Sequence, residues 1–286
     1  MPAALRVLLA GALFATGGAL IKSCGFPSLQ RSGLRALFAA VAIFVMLPAS
    51  RRWPDRHVLR VLPAYFVATC FFVVANTLTT AANTIFLQST APLWVLVLGP
   101  LLLGERNSRR DVLTFAGIAV GMTLCFVAPN EATDTAPDPR LGDALALLAG
   151  VGFAGMLLGM RWLSRIEPSA GAAVVAWGNV ATAPLSFALM PFVDQTPVVG
   201  TGGDWLVIAF LGVFQVGLAY VVLVRAIPHV PAVRASLLLM IEPALNPLIA
   251  FAVHDERPHA LTIAGGGLIL GSVAASSLRR RAPRRA

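Results

Sequence analysis

Residues 90–106 read TAPLWVLVLGPLLLGER and residues 241–257 read IEPALNPLIAFAVHDER, and the two stretches align without a gap at an offset of 151 residues. Pro92 falls on Pro243, and both stretches end in Glu-Arg. Each stretch is followed by an apolar run with two glycines four residues apart, Gly117 and Gly121 in the first case and Gly267 and Gly271 in the second. Small residues at this spacing allow helix backbones to approach closely in lipid. The shared order of features indicates an internal repeat.

The composition around these stretches requires a bilayer. Hydrophobic residues make up 57% of the 286 residues, charged residues make up 12%, and the mean hydropathy is +0.80. Soluble domains contain about 25% charged residues, and a globule always leaves a large share of its side chains facing water. At about 20 residues per spanning helix, the chain holds about ten spans and has no room for a soluble catalytic domain.

Ten apolar runs are separated by charges and turn residues, and they cover residues 5–22, 33–49, 61–79, 83–103, 111–128, 142–161, 170–191, 205–224, 232–253 and 259–278. The prediction is an all-α integral membrane protein whose ten transmembrane helices form two inverted five-helix repeats. The predicted divisions are a first repeat at 5–128, an acidic, proline-rich external linker at 129–141, a second repeat at 142–278 and a basic cytoplasmic tail at 279–286. Inverted repeats are the architecture of many secondary transporters, whose substrate site lies near the midplane between the halves.

The net charge of +9 records orientation in the membrane. When the spans alternate from a cytoplasmic N-terminus, 17 of the 22 basic residues fall on the cytoplasmic side, as the positive-inside rule requires. Both termini are therefore predicted to be cytoplasmic, and the arginine-rich tail anchors at anionic lipid rather than binding nucleic acid. A single lysine among these basic residues is typical of a GC-rich bacterial gene, which predicts the bacterial cytoplasmic (inner) membrane.

These features resemble the drug/metabolite transporter superfamily, EamA type. The resemblance is carried by the five-plus-five layout, by the P-x(12)-E-R pattern that begins at Pro92 and Pro243, and by Lys22, Pro27 and Arg35 around the first two spans. It implies a ten-helix carrier that moves small metabolites, often amino acids or similar compounds, and commonly outward. One departure is His254-Asp255, which replaces the Leu-Gly that usually precedes the second Glu-Arg.

Glu242 is the only carboxylate that the sequence places well inside a predicted span. A charge at the centre of a spanning helix costs about 2.5–3.5 kcal/mol on insertion scales. Such an acid therefore faces a cavity, pairs with a cation or is protonated. Glu242 is interpreted as a proton-coupling or amine-binding carboxylate, and the alternative is a hydrogen-bonded acid that braces a proline-kinked helix.

Other polar and aromatic side chains inside the spans are candidates for substrate contact. Asn246 lies four residues after Glu242 and therefore on the same helix face. The remaining candidates are Asn76, Gln88, Trp94, Trp177 and Gln215. Pro92, Pro243 and Pro247 are predicted to kink the fourth and ninth spans beside the cavity, because each removes a backbone donor. The alternative for all of these residues is helix–helix packing.

Lys22 and Arg35 are predicted to form a cationic outer vestibule that attracts carboxylates or phosphates, unless they are snorkelling anchors. No metal or cofactor is expected, because no histidine has metal-ligand spacing with another histidine or a cysteine and no catalytic motif is present. The predicted function is therefore a secondary transporter that works by alternating access on a small-molecule substrate, with protons as the coupling ion, as a monomer or weak dimer. The alternatives are a membrane-embedded lipid-modifying enzyme and a structural membrane subunit that does not transport.

Overall fold

The structure, a computed structural model, describes residues 1–104, 109–128, 136–167, 169–193, 195–254 and 259–278, and these residues contain helices and no β-strand. The α-helices are α1 (Ala3–Phe14), α2 (Gly17–Lys22), α3 (Ser28–Met46), α4 (Arg56–Leu78), α5 (Ala81–Gln88), α6 (Ala91–Leu103), α7 (Arg109–Val127), α8 (Pro139–Ile166), α9 (Ala170–Leu189), α10 (Gly202–Phe210), α11 (Ala219–Val224), α12 (Ala232–Leu238), α13 (Ile241–His254) and α14 (Ala260–Leu278). A π-helical segment, Leu211–Leu218, joins α10 to α11. The expectation of an all-helical protein is confirmed for the described residues.

Seven helical segments are long and apolar enough to cross a membrane. They are Ala3–Lys22, Ser28–Met46, Arg56–Leu78, Ala81–Leu103, Pro139–Ile166, Ala170–Val193 and Gly202–His229. The three other predicted spans also fall on helices, namely α7, α12 with α13, and α14. Among the described residues of these three spans, α14 contains an apolar helical stretch, Ala260–Ser272, that is shorter than the seven. The chain is therefore a multi-pass membrane protein, and ten spans remain a prediction.

Several spans are broken in the middle. The break between α5 and α6 falls at Ser89–Thr90, just before Pro92, and the break between α12 and α13 falls at Leu239–Met240, just before Pro243. A proline is tolerated in the first turn of a helix, where its missing N–H has no partner to lose. The prolines therefore coincide with two helix starts at equivalent positions of the sequence repeat.

Hydroxyl side chains satisfy backbone carbonyls at these breaks. Ser89 Oγ donates to the carbonyl of Ile85 at 2.5 Å, and Thr90 Oγ1 donates to the carbonyl of Leu87 at 2.7 Å. In the first span, Thr16 Oγ1 donates to the carbonyl of Leu13 at 2.8 Å, at the break between α1 and α2. Irregular backbone at membrane depth is stable only where such groups are satisfied within the protein.

Helices from the two halves of the chain pack against each other throughout the bundle. Helix α3 lies along α9, α4 along α8, α7 along α14, α5 along α13, and α1 along α11. Glycines permit the closest of these contacts. A Cβ at Gly121 of α7 would lie 2.6 Å from the carbonyl oxygen of Gly265 and 2.7 Å from Ile269 Cγ1 of α14. At Gly267 and Gly271, the glycine pair of α14 noted in the sequence, a Cβ would instead meet no described atom within 4 Å.

We expect Gly121→Ala to lower the free energy of unfolding in detergent by about 1–3 kcal/mol, because the added methyl group overpacks the α7–α14 contact. Gly271→Ala is the matched control, since the same change on α14 meets no neighbouring atom. This control should raise the free energy of unfolding by up to about 1 kcal/mol through helix propensity alone. Equal destabilisation by the two substitutions would contradict the close contact.

Candidate functional site

Two adjoining cavities lie inside the bundle and share the side chains of Gln88, Phe153 and Glu242. The larger is called the polar lobe because Arg35, Thr69, Gln215 and Tyr220 line it. The smaller is called the apolar lobe because Ala91, Pro92, Leu239, Met240 and Pro243 line most of it, together with two serines. Ligand sites are lined mainly by apolar side chains with a few polar groups that fix orientation, and the two lobes together have such a lining.

Glu242 lies where the two lobes meet. It occupies the first turn of α13, and only 8% of its surface is exposed. Its backbone N–H donates to the carbonyl of Leu239 at 2.9 Å. Among the described residues, none forms an ion pair or hydrogen bond with its carboxylate. The N-terminal end of a helix favours a negative charge, so α13 supports the carboxylate while leaving it facing the cavity.

Arg35 supplies a positive charge to the polar lobe. It is 4% exposed, and its Nη2 donates to the carbonyl of Thr69 at 2.9 Å. Its Nη1 lies 3.4 Å from Oε1 of Gln215, whose Nε2 in turn donates to the carbonyl of Phe14 at 3.3 Å. The structure thus places Arg35 in the central cavity, deeper than the outer vestibule that the sequence suggested.

Gln88 and Tyr220 complete the polar surface of this cavity. Gln88 Nε2 lies 3.4 Å from the carbonyl of Ala68. Tyr220 donates to Met156 Sδ at 3.6 Å, and its ring centroid lies 5.4 Å from that of Tyr65. Sequence reasoning missed Tyr220, Thr69 and Phe153. Tyr65 and Tyr220 are the only two tyrosines in the chain. Their position inside apolar runs was a signal that could have drawn attention to them.

The remaining polar candidates lie outside the two lobes, as far as the described residues define them. Asn76 and Asn246 are fully buried, and neither side-chain amide has a hydrogen-bond partner among the described residues. Asn246 packs directly against Gly18 of α2, where a Cβ would collide with its amide. Lys22 donates to the carbonyl of Thr79 at 3.0 Å. Pro247 belongs to α13, and its side chain lies outside the described residues.

The two tryptophan candidates are engaged elsewhere. Trp94 Nε1 lies 3.2 Å from Thr90 Oγ1. Trp177 stacks on the exposed Trp53 with ring centroids 4.9 Å apart, and its Nε1 donates to the carbonyl of Arg52 at 2.7 Å. Trp177 therefore lies at the loop before α4 and not at the wall of either lobe.

Charged groups surround Trp177 at this loop. Arg52 forms an ion pair with Glu167, and hydrogen bonds from Arg52 and from the hydroxyl of Ser169 hold the pKa of this carboxyl below its usual value. Arg52 also contacts Asp55 at 3.0 Å. An indole that bonds to a loop carbonyl among exposed charges has the environment of an interfacial anchor.

A second buried carboxylate corrects the expectation that Glu242 is the only one. Asp143 of α8 is 3% exposed, and it accepts hydrogen bonds from Thr79 Oγ1 at 2.8 Å and from Asn83 Nδ2 at 3.1 Å. Asn83 Oδ1 accepts from Thr262 Oγ1 at 3.1 Å. This polar cluster connects α8, α5 and α14, and its members are bonded to one another, which indicates a structural role.

We expect Asp143→Ala to lower the free energy of unfolding by at least about 2 kcal/mol, because it leaves the buried donors of Thr79 and Asn83 without an acceptor and each costs about 1–3 kcal/mol. Asp143→Asn keeps one acceptor and should cost less. Thermal unfolding in detergent, followed by circular dichroism, measures both changes. A melting temperature unchanged by Asp143→Ala would show that the cluster does not stabilise the bundle.

The described residues contain no group of three or more His, Cys, Asp or Glu side chains that could hold a metal ion. The site is instead a cavity lined by one guanidinium, one carboxyl group and several neutral polar groups, beside two helix breaks. The sequence profile of the EamA-like transporter family matches residues 1–127 and 140–278. The chain belongs to this family.

Relatives of this transporter cover nearly its whole length. An uncharacterized transporter of Archaeoglobus fulgidus is 24% identical over 267 residues, which are 93% of each chain. The pseudopaline exporter CntI of Pseudomonas aeruginosa is 25% identical over 287 residues, 97% of this chain and 96% of the relative. A crystal structure with 21% identity has a TM-score of 0.73 and covers 99% of this chain and 98% of its own, which shows a common fold. The family and its relatives are transporters, which points away from an enzyme.

Proposed function

We propose that this transporter exports small zwitterionic, amino-acid-like solutes across the bacterial cytoplasmic membrane. The observation that carries the proposal is that Arg35 and Glu242 face one buried cavity. A carboxylate on the solute would bind the guanidinium, which favours planar anions, and a solute amine would bind Glu242. The 25% identical relative named as an exporter supports outward transport.

Alternating access between two inverted five-helix halves, 5–128 and 142–278, is the proposed mechanism. Under this arrangement 129–141 is the external linker, 279–286 is the cytoplasmic tail, and both termini are cytoplasmic. The helix pairs α3–α9, α5–α13 and α7–α14 each join equivalent spans of the two halves. The pairs α4–α8 and α1–α11 would exchange under a pseudo-two-fold axis. Such an axis with broken helices at the midplane is typical of inverted-repeat transporters.

Protons are the proposed coupling ion. Glu242 is buried at the junction of the lobes and lacks an ion pair with any described residue, so it can exchange between a proton and a solute amine. Buried ionisable residues of this kind commonly mark proton pathways in transporters. The same carboxylate cannot hold both partners at once, which links solute release to proton binding.

Counterflow in proteoliposomes tests the proposed substrate class. The purified protein should exchange radiolabelled L-alanine and other zwitterionic amino acids faster than propylamine or propionate, which each retain one of the two charged groups. A thermal-shift series measures binding, because a ligand at one hundred times its dissociation constant stabilises the folded state by about 2.7 kcal/mol. Equal exchange of the amine or the acid would contradict the two-charge site.

A further inference from the structure

Two asparagine side chains, Asn76 of α4 and Asn246 of α13, are fully buried and have no hydrogen-bond partner among the described residues. Burial of an amide without a partner costs free energy, because the amide gives up its hydrogen bonds to water and gains none in return. Asn179 of α9 is nearly as buried, yet its Nδ2 donates to the hydroxyl of Tyr65 at 2.6 Å and to the carbonyl of Val175 at 2.8 Å. Asn76 and Asn246 thus carry a cost that Asn179 does not.

Each of these asparagines lies one helical turn beyond a residue that lines the polar lobe. Asn76 comes four residues after Phe72 on α4. Asn246 comes four residues after Glu242 on α13. Side chains at this spacing lie on the same face of a helix. The two amides, which we call the asparagine layer, therefore extend the faces that line the lobe by one turn toward the C-terminal ends of α4 and α13.

Helix α2 covers this end of the polar lobe, and it packs against both α13 and α4. Gly18 comes four residues after Phe14, which also lines the lobe, and a Cβ at Gly18 would collide with the amide of Asn246. One turn farther along α2, Lys22 Nζ donates to the carbonyl of Thr79, directly after the end of α4. The lobe is therefore closed at this end, first by the asparagine layer against α2 and then by the contact between Lys22 and Thr79.

We propose that Asn76 and Asn246 form the gate of the external half of the transport pathway, and that their unsatisfied amides favour its opening. This inference rests on the alternating-access mechanism proposed above, under which α2 and α4 end on the external side. When the helices separate, water or the passing solute bonds to both amides, and the cost of their burial is relieved. The closed gate is raised in free energy relative to the open one, so it opens more readily than a gate of apolar side chains.

Leucine substitutions test the role of the amides, because leucine has nearly the shape of asparagine and no polar atom to satisfy. Asn76→Leu and Asn246→Leu should each raise the melting temperature in detergent by at least about 2 °C. Each should also slow counterflow of L-alanine by at least about fivefold, because the closed gate is stabilised. Asn179→Leu is the matched control, and it should lower the melting temperature because it removes a satisfied amide. A melting temperature that stays or falls in Asn76→Leu and Asn246→Leu would overturn the role of the amides.

The accessibility of single cysteines locates the gate without any substrate. The three native cysteines are replaced by alanine, and Asn76→Cys or Asn246→Cys is then introduced. In right-side-out membrane vesicles, a membrane-impermeant methanethiosulfonate should modify both positions from the outside. A variant that keeps only the native Cys70 is the control. Cys70 is also buried on α4 but packs against Leu29 and Met190, so it should react at least about tenfold more slowly.

The outcomes separate the external gate from the proposed function. Reaction at Asn76→Cys and Asn246→Cys no faster than at Cys70 would overturn the gate. Modification from the cytoplasmic side alone, measured on inverted vesicles, would also overturn it. Failure of L-alanine to exchange would contradict the proposed substrate class, while the cysteine reactivities would still decide the gate. If a cysteine variant does not fold, the melting temperatures of the leucine variants remain the test.

Discussion

The Glu242→Gln variant is expected to lose solute flux driven by a pH gradient while it still exchanges solute across the membrane. Glutamine fills the same space at the start of α13 but cannot take up or release a proton. Net export coupled to proton movement therefore stops. Exchange of labelled for unlabelled solute needs no net proton movement, so it continues at saturating concentration, with a raised half-saturation constant because the amine has lost its counter-charge.

Proteoliposomes allow both modes to be measured on one preparation. Flux of labelled L-alanine is followed after a pH jump and then, without a gradient, as counterflow. Glu167→Gln is the matched control, because it makes the same change in a carboxylate that pairs with Arg52 at the loop and lies away from both lobes. It should retain pH-driven flux. An unchanged pH dependence of flux in Glu242→Gln would contradict the coupling role. Loss of both pH-driven flux and counterflow would mean that Glu242 is needed for binding alone.

The position of the cavity could be predicted from the sequence repeat. Pro92 and Pro243 align at an offset of 151 residues, and both follow helix breaks beside the lobes. The aligned prolines indicate the helix breaks because proline acts through local backbone geometry, which does not depend on the rest of the fold. Gln88, Gln215 and Glu242, which the sequence predicts as substrate contacts, line the lobes, because a polar group inside an apolar run is costly to expose to lipid; contact with a substrate stays a prediction.

The depth of Arg35 could not be predicted, because it depended on where its helix begins. The hydropathy pattern began the second span at residue 33, which puts Arg35 near the membrane surface. Helix α3 begins at Ser28, so Arg35 lies about two turns inside it. The same effect hid Asp143, since the predicted span began at 142 and α8 begins at Pro139. An error of a few residues at a boundary thus changes an anchor into a cavity residue.

Trp177 shows the opposite error. It lies two turns into α9 and was expected to line the cavity, yet its indole bonds to the carbonyl of Arg52. Long side chains in a helix point back toward its N-terminus, and that end of α9 lies beside the loop before α4. Which neighbouring loop receives the ring is a tertiary contact, and periodicity along one helix carries no information about it.

Arg35→Gln is expected to remove the preference of the protein for solutes that carry a carboxylate. Truncation of one partner of a buried, hydrogen-bonded charge pair costs about 2–5 kcal/mol, so affinity for L-alanine should fall by at least about thirtyfold. Arg35→Lys keeps the charge but loses the two-pronged geometry that matches a carboxylate, and its loss should be smaller. Calorimetric titration of L-alanine and of propylamine, which lacks the carboxylate, measures the change.

Arg31→Gln is the control that separates binding from folding. Arg31 lies one turn before Arg35 on the same helix and is nearly as buried, but it donates to the carbonyls of Ile21 and Phe26 and lines neither lobe. Its loss should lower the melting temperature and leave the ratio of L-alanine to propylamine affinity unchanged in the folded fraction. For Arg35→Gln the ratio itself should collapse. If both variants changed this ratio equally, Arg35 would be a structural arginine, and the solute carboxylate would have to bind elsewhere.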